Sequence, residues 1–142
     1  MRALLKSLFG MLLVACSLAR AGDDVAIVVI GHASVPHVDA QTLQRLYMGR
    51  AIDVAGTAVT VVNLAPKVVP RERFLVQVVN TDEDRYVSYW TVRRHVGKGA
   101  PPREFGTPAE LIEYVQATPG AIGYVSATDL KPGMNVIFRT KP

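Results

Sequence analysis

The sequence predicts an α/β domain, in which a mixed, mostly parallel sheet is flanked by helices on both faces. Apolar runs rich in β-branched residues, typical of buried strands, occur at Val25–Ile30 and Ala58–Val62. Segments with apolar residues at helical spacing separate such runs. A capped helical segment, Gly106–Val115, directly precedes another short apolar run, Ala121–Val125. Strands that alternate with helices form sheets that the helices cover.

The segment Gly106–Val115 carries the clearest local signals. Thr107 is placed to cap a helix with its hydroxyl, and Pro108 suits the first helical position because a missing N–H is harmless there. Glu110 stands where it completes a capping box. Pro119-Gly120 is expected to end the helix, since proline cannot continue it and glycine accepts the positive φ of a reversal.

Three further helices and a last strand are predicted elsewhere. Asp39 is placed to cap the first helix, Pro70 to begin the second and Thr81 to cap the third. We expect an irregular link at Gly97–Pro102 and a last strand at Val136–Phe138. The side chains expected to be buried are Leu43, Leu46 and Tyr47 in the first helix, Phe74, Leu75, Val78 and Val79 in the second, and Tyr86, Tyr89, Trp90 and Val92 in the third.

The N-terminal segment, residues 1–21, reads as a secretory signal peptide. It has a basic start, an apolar run at Leu8–Leu18 and the small-residue ending Ala19-Arg-Ala21. Its removal takes away three basic residues, leaves 13 basic against 12 acidic side chains and lowers the formal charge from +4 to +1. Residues 22–142 then form one domain with too little net charge to predict nucleic-acid binding.

Cys16 is the only cysteine, so no disulfide framework is expected. The run Leu13–Cys16 also resembles a bacterial lipobox, in which cleavage before the cysteine would leave a lipid anchor. Cleavage after Ala21 is the competing alternative. We expect a periplasmic or secreted protein in either case, attached to a membrane only if Cys16 is lipidated.

A family resemblance rests on three segments that keep their order in the chain. The run Thr118-Pro-Gly-Ala-Ile-Gly-Tyr-Val125, preceded by Gly97-Lys-Gly99 and by Leu43–Arg50, is similar to the phosphate-type substrate-binding proteins of bacterial ABC transporters. The similarity covers roughly Val25–Val125. It implies the type 2 periplasmic binding protein fold, which has two α/β lobes around a ligand cleft. This chain matches the second lobe only, as a single three-layer unit.

The loop after the second strand differs from that of the family this chain resembles. Family members carry an arginine and an Asp-Gly-Ser-Gly-Thr run there, whereas this chain has Asn63-Leu-Ala-Pro-Lys-Val-Val-Pro70. The family's oxyanion donors are therefore missing, and the cations near the loop would act as point charges in their place. We expect ligand contacts at the carboxyl ends of the strands, in the loops after Ile30 and Val62 and in the link Gly97–Pro102. The candidate ligand-binding residues are Ser34, Asn63, Lys67, Arg71 and Lys98.

Catalytic and metal sites find no support in the sequence. His32, His37 and His95 do not have the spacing of zinc ligands. Ser34 lacks the second glycine of a nucleophile elbow, and Asp82-Glu-Asp84 is typical of a solvated helix start. We therefore expect no enzyme activity, no metal and no cofactor.

Two functional hypotheses follow. The first is a secreted, non-catalytic module that binds a small oxyanion or a partner at the strand ends. The alternative is an envelope interaction module that has lost phosphate binding and contacts a protein partner or a second copy of itself. An apolar patch predicted at Leu64, Val68 and Val69 favours the alternative.

Overall fold

The computed structural model describes residues 25–142, so the predictions for the signal peptide and for Cys16 lie outside the described residues. The strands are β1 (Ile27–Gly31), β2 (Asp53–Val54), β3 (Thr57–Ala58), β4 (Thr60–Leu64), β5 (Arg103–Phe105), β6 (Ala121–Ser126) and β7 (Asn135–Arg139). The helices are α1 (Ala40–Tyr47), α2 (Arg71–Phe74) with its π-helical continuation Leu75–Val79, α3 (Glu83–His95) and α4 (Pro108–Ala117). A single 3₁₀ turn spans Ala127–Asp129.

Five strands form one mixed sheet in the order β5-β4-β6-β1-β7, and β2 and β3 form a separate hairpin. Strand β4 pairs in parallel with both β5 and β6. Strand β1 pairs antiparallel with β6 and β7. The carboxyl ends of β4, β5 and β6 therefore share one end of the sheet, while β1 ends at the opposite end.

Helices cover both faces of the sheet, as the sequence predicted. A Cβ atom on Gly123 of β6 would meet the side chains of Leu111 and Val115 in α4. The next residue, Tyr124, stacks on Phe74 of α2 with ring centroids 3.7 Å apart. Successive strand residues face opposite sides of a sheet. Helices α2 and α4 consequently lie on opposite faces, and the three-layer α/β prediction is confirmed.

Two of the predicted helix caps are present. The side chain of Asp39 accepts a hydrogen bond from the backbone N–H of Thr42 at 2.7 Å. The hydroxyl of Thr107 accepts one from the N–H of Glu110 at 3.2 Å. Each contact satisfies a backbone donor that the first turn of a helix leaves free.

Two local predictions are wrong, and one strand is missing from the predicted elements. Asp82, not Thr81, caps α3, because its carboxylate accepts from the N–H of Arg85 at 2.9 Å and an anion is favoured at that end of a helix. Val92 is 62% exposed, since it lies on the outer side of α3. The strand β5 was not predicted, because three residues are too few to show an alternating pattern.

An aromatic cluster fills the α2 side of the sheet. The ring of Tyr47 lies edge-on to that of Phe74, with centroids 4.7 Å apart, and its hydroxyl donates to the carbonyl of Val62 at 2.8 Å. Burial raises the pKa of Tyr86 to about 12. Burial also raises the pKa of Tyr47 and Tyr124 above the ordinary value for tyrosine. The neutral phenol is therefore the form that the folded state favours.

Gly120, between α4 and β6, should tolerate no side chain. Its φ is +76°, and a Cβ atom there would lie 2.6 Å from the backbone oxygen of Ala58. Gly133 is a matched control, because its φ is +86° but no atom lies within 4 Å of the added Cβ. We expect Gly133→Ala to cost about 1 kcal/mol from the positive φ alone, and Gly120→Ala about 2 kcal/mol more from the clash. Urea unfolding measures both, and equal losses would contradict the close approach.

The buried tyrosines predict alkaline instability. Their folded-state pKa values lie above the unfolded value of about 10, so above that pH the unfolded chain holds fewer protons than the folded one. The contribution of these phenols to stability should be constant below about pH 10 and then fall, by at most about 1.4 kcal/mol per pH unit for each buried phenol. Urea unfolding at rising pH measures this slope. We expect Tyr86→Phe to make the slope shallower, and an unchanged slope would exclude Tyr86 as a contributor.

Candidate ligand-binding site

The candidate site lies at the carboxyl end of β4. The parallel register pairs Asn63 of β4 with Glu104 of β5, so the two side chains project from the same face of the sheet. The loop that follows β4 leads to Arg71, the first residue of α2, on that face. A polar cluster forms there beneath the first turn of α3, which contributes Glu83 and Tyr86.

Arg71 holds this cluster together. Its Nε and Nη2 atoms donate to the two carboxylate oxygens of Glu83 at 2.8 and 2.7 Å, a bidentate pair. Its Nη1 atom donates to Glu104 at 2.8 Å and to the carbonyl of Leu64 at 2.7 Å. Its guanidinium carbon also lies 5.6 Å from the ring centroid of Tyr86. One side chain thus ties β4, β5 and α3 together.

The charge on Arg71 is stable although the side chain is only 3% exposed. Burial opposes the charged form, but the hydrogen bond and the attraction of Glu83, together with the attraction of Glu104, outweigh it. The net effect is to raise the pKa of Arg71 above its ordinary value. The two carboxylates are about one third exposed, at 34% for Glu83 and 41% for Glu104. Water therefore reaches the acidic side of the cluster and not the basic side.

The side chain of Asn63 is likewise hydrogen-bonded to its neighbours. Its side-chain oxygen accepts from the hydroxyl of Tyr124. Its side-chain nitrogen donates to the hydroxyl of Tyr86 at 3.3 Å. The backbone N–H of Leu64 donates to the hydroxyl of Tyr124 at 3.3 Å. Asn63 is only 1% exposed, so this network stabilises the core beneath the site.

A groove of about 820 Å³ opens beside the cluster, with α3 along one side. Arg71 and Glu104 both contribute to its wall. The other side chains that line it are mainly apolar or aromatic, with an arginine and a histidine near the end of α3: Tyr86, Val87, Trp90, Thr91, Val92, Arg94, His95, Val96 and Pro101. We call this the α3 groove. A lining of this composition suits an apolar group more than a bare anion.

Ser34 does not join the other candidate residues. Its hydroxyl accepts from the backbone N–H of Gly120 at 3.3 Å and lies 2.8 Å from Nδ1 of His32. Gly120 precedes β6, so Ser34 lies at the amino ends of β4 and β6, opposite Asn63 and Arg71. The expected convergence of the strand-end loops is wrong, because β1 runs antiparallel to its neighbour β6.

The two candidate lysines are exposed, and neither is among the hydrogen-bond or ion-pair partners of the Arg71 cluster. Lys67 lies in the loop after β4 with a φ of +69°. Lys98 lies in the link before β5, where its carbonyl accepts from Arg93 at 3.3 Å. The candidate set is thus split among two exposed lysines, two buried side chains and one distant serine. Ligand binding by any of them stays a prediction.

The predicted apolar patch is wrong in most of its members. Leu64 is fully buried, because β4 extends two residues past the predicted end of the strand at Val62. Val68 is partly buried against the core, and only Val69 stands out, at 73% exposure. A single exposed valine is ordinary on a protein surface.

Two negative findings apply to residues 25–142. No three or more His, Cys, Asp or Glu side chains in that range are arranged to hold a metal ion. No helix in the same range combines the length and the apolar character needed to cross a bilayer.

The sequence did not identify the acidic partners of Arg71. Glu83 was interpreted as part of a solvated helix start, yet it accepts two hydrogen bonds from a buried guanidinium. No sequence pattern marks Glu104. The two carboxylates lie 12 and 33 residues from Arg71 along the chain. No local spacing rule reaches that far, so only the sheet register could have revealed the cluster.

The chain is similar to known proteins in structure but not in sequence. No protein-family model and no curated protein sequence matches the chain. An ABC-type phosphate transport receptor from Vibrio cholerae superposes with a TM-score of 0.63 at 18% identity, over 80% of this chain and 45% of the receptor. A putative phosphate ABC transporter substrate-binding protein with bound phosphate, from Clostridium perfringens, gives 0.62 at 15% identity, over 80% and 44%.

PstS from Borrelia burgdorferi superposes with a TM-score of 0.56 at 14% identity, over 80% of this chain and 46% of that protein. The chain therefore spans less than half the length of each of these structures. A likeness at such low identity concerns the fold alone. The chain has the fold of a single lobe of the phosphate-type substrate-binding proteins of ABC transporters.

Proposed function

We propose that this chain is a non-catalytic, periplasmic or secreted binding module that keeps the fold of one solute-binding lobe and recognises a protein partner instead of free phosphate. The similar structures include a phosphate transport receptor and a substrate-binding protein with bound phosphate, which supports the general role of a binding module. The choice of a protein partner rests on Asn63 and Arg71, two candidate anion donors that are already hydrogen-bonded within the chain.

The observation that carries the proposal is that Arg71 is already paired within its own chain. Its guanidinium makes four hydrogen bonds to its own chain, out of five N–H donors that an arginine offers. Two carboxylates of the chain, from Glu83 and Glu104, thus stand where an external oxyanion would need to bind. An anion would have to displace one of them from a charge-assisted hydrogen bond. Exchanging one anion for another at the guanidinium brings no net gain in binding free energy, so tight phosphate binding at Arg71 is unfavourable.

Oxyanion capture in the loop after β4 is a second candidate. Lys67 is exposed there, and the similar structure from Clostridium perfringens, of which this chain covers 44%, contains bound phosphate. A single lobe provides only one wall, however, so an ion on this surface stays hydrated and its attraction to a lysine is screened by salt. We expect any such binding to be weak.

Calorimetry with orthophosphate separates the two candidates. We expect no saturable heat at about millimolar ligand, because the arginine nearest the loop is already paired. Lys67→Ala is the matched variant: a small heat that this change removes would favour the oxyanion candidate. Sub-micromolar binding by the unmodified chain would overturn the proposal that a protein is the partner.

The structural role of Arg71 is tested by its effect on folding. We expect Arg71→Ala to lower the free energy of unfolding by about 3 kcal/mol, because it leaves the carbonyl of Leu64 and two carboxylates without their donor. Arg85→Ala is the control, since Arg85 pairs with Asp82 at 3.4 Å but is 82% exposed. Its loss should cost less than about 0.5 kcal/mol. Similar losses for the two variants in urea unfolding would show that Arg71 is not a structural residue.

A further inference from the structure

Strand β5 is an end strand of the five-stranded sheet, so one of its edges has no strand beside it. On the side of β4, the carbonyl of Phe105 accepts from the N–H of Ala65 at 2.8 Å. Because the backbone groups of successive strand residues point to opposite edges, the N–H and the carbonyl of Glu104 point away from β4. Outside the sheet, no backbone hydrogen bond within residues 25–142 involves Glu104. The outer edge of β5 therefore offers an unpaired donor and an unpaired acceptor.

A depression lies beside this edge on each face of the sheet. On one face it is the α3 groove. On the other it is a pocket of about 520 Å³, which we call the α4 pocket, lined by residues of β5 and α4 that include Phe105, Glu110, Glu113 and Tyr114. Glu104 lines both depressions, so they meet at the edge of β5. An extended segment laid along this edge would direct alternate side chains into the α3 groove and the α4 pocket.

The two depressions differ in chemistry. The α3 groove is mainly apolar and aromatic, whereas the α4 pocket contains the exposed side chains of Glu110 and Glu113. Neither carboxylate takes part in an ion pair within residues 25–142. The arginine of the pocket, Arg103, lies instead over aromatic rings, with its guanidinium carbon 4.8 Å from the centroid of Phe105 and 5.3 Å from that of Tyr114. A segment whose side chains are alternately apolar and basic complements both depressions.

A second copy of β5 does not fit this edge. Two copies of the strand paired antiparallel about a two-fold axis at Glu104 would set this carboxylate directly opposite the same carboxylate of the other copy. Like charges directly opposite each other on neighbouring strands are destabilising. The sequence of β5, Arg-Glu-Phe, also lacks the alternation of apolar and basic residues that the two depressions favour. These observations favour a different protein as the occupant.

We propose that the outer edge of β5 is a docking site for another protein, which adds an extended segment of alternately apolar and basic residues to the sheet as a further strand. Its apolar side chains enter the α3 groove and its basic side chains enter the α4 pocket. The inference rests on the proposed function and names the chemistry of the protein partner. Because β5 has only three residues and each backbone hydrogen bond contributes little net free energy, the side chains supply most of the affinity. We expect a Kd of about 10 to 100 µM for a short peptide.

A synthetic heptapeptide tests the alternation. The probe, Lys-Leu-Lys-Leu-Lys-Leu-Lys with a fluorescent label, is titrated with the full chain, purified as the cell processes it, and binding is followed by fluorescence anisotropy. A control peptide, Lys-Lys-Lys-Leu-Leu-Leu-Lys, has the same composition and charge without the alternation. We expect the control to bind at least about tenfold more weakly, because a strand cannot direct three consecutive leucines to one face. Equal affinities would overturn the inference.

Two charge variants test the α4 pocket. Glu113→Lys places a cation there and should weaken binding of the probe by about fivefold or more. Glu72→Lys is the matched control, because it makes the same change of charge at an exposed residue of α2 that lines neither depression. It should leave the Kd within about twofold, since a distant surface charge is screened by salt. Circular dichroism establishes that both variants are folded, and equal weakening by the two would reduce the binding to a general attraction of a basic peptide and overturn the inference.

Backbone pairing is tested on the peptide, which leaves the protein unchanged. In an added strand, the N–H groups of alternate residues point to β5 and the others point away. One probe is therefore methylated at the backbone nitrogens of its three leucines, and another at those of its last three lysines. We expect one of the two to lose binding at least about tenfold and the other to retain it. Equal effects of the two methylation patterns would overturn strand addition.

Failure of this inference is distinguishable from failure of the proposed function. A chain that binds no probe at about 500 µM protein overturns the inference and leaves the binding module with a partner that docks elsewhere. Self-association of the chain that the probe reverses would place a second copy at the edge of β5 and would also overturn it. Sub-micromolar phosphate binding would instead refute the proposed function, whatever the peptides do.

Discussion

The buried guanidinium of Arg71 is the constraint on which this end of the fold depends. A charge that is only 3% exposed must find partners or it destabilises the core. Here the partners come from the end of β4, from β5 and from the first turn of α3, so the three elements can adopt only the arrangement in which all of the hydrogen bonds form. The parallel register of β4 and β5 and the position of α3 are both consistent with that single requirement.

The pairing of buried polar groups within the chain also bears on function. An anion site needs hydrogen-bond donors that are free to meet the ligand, whereas this chain uses the donors of Asn63 and Arg71 internally. Asn63 is held between two tyrosines, and Arg71 between two glutamates. The partly exposed members of the Arg71 cluster are the carboxylates of Glu83 and Glu104, which would repel an anion. Helix α3 carries three of the six large hydrophobic side chains that stand out on residues 25–142, and a macromolecular surface suits such side chains better than a small ion does.

Much of the local structure was predictable because the signals are short in range. Asp39 and Thr107 each need only an amide three residues ahead, and both caps form as expected. The apolar runs at β1 and β6 are buried along nearly their whole length, as their composition indicated. The errors occur where a choice depended on distant residues. Thr81 and Asp82 are both suitable caps, and β5 is a strand only because β4 offers it an edge.

The sequence by itself determined an α/β unit, its helix ends and most of its core, because capping and hydrophobic periodicity act within a few residues. Only the tertiary structure decided which candidate residues meet. It reversed β1 against β6, which separates Ser34 from Asn63, and it brought Glu83 and Glu104 to Arg71 across 12 and 33 residues of chain. The physical reason is that strand direction and sheet register are set by packing of the whole domain. In addition, the sequence around a charged residue does not indicate whether its side chain will be paired or free in the folded protein.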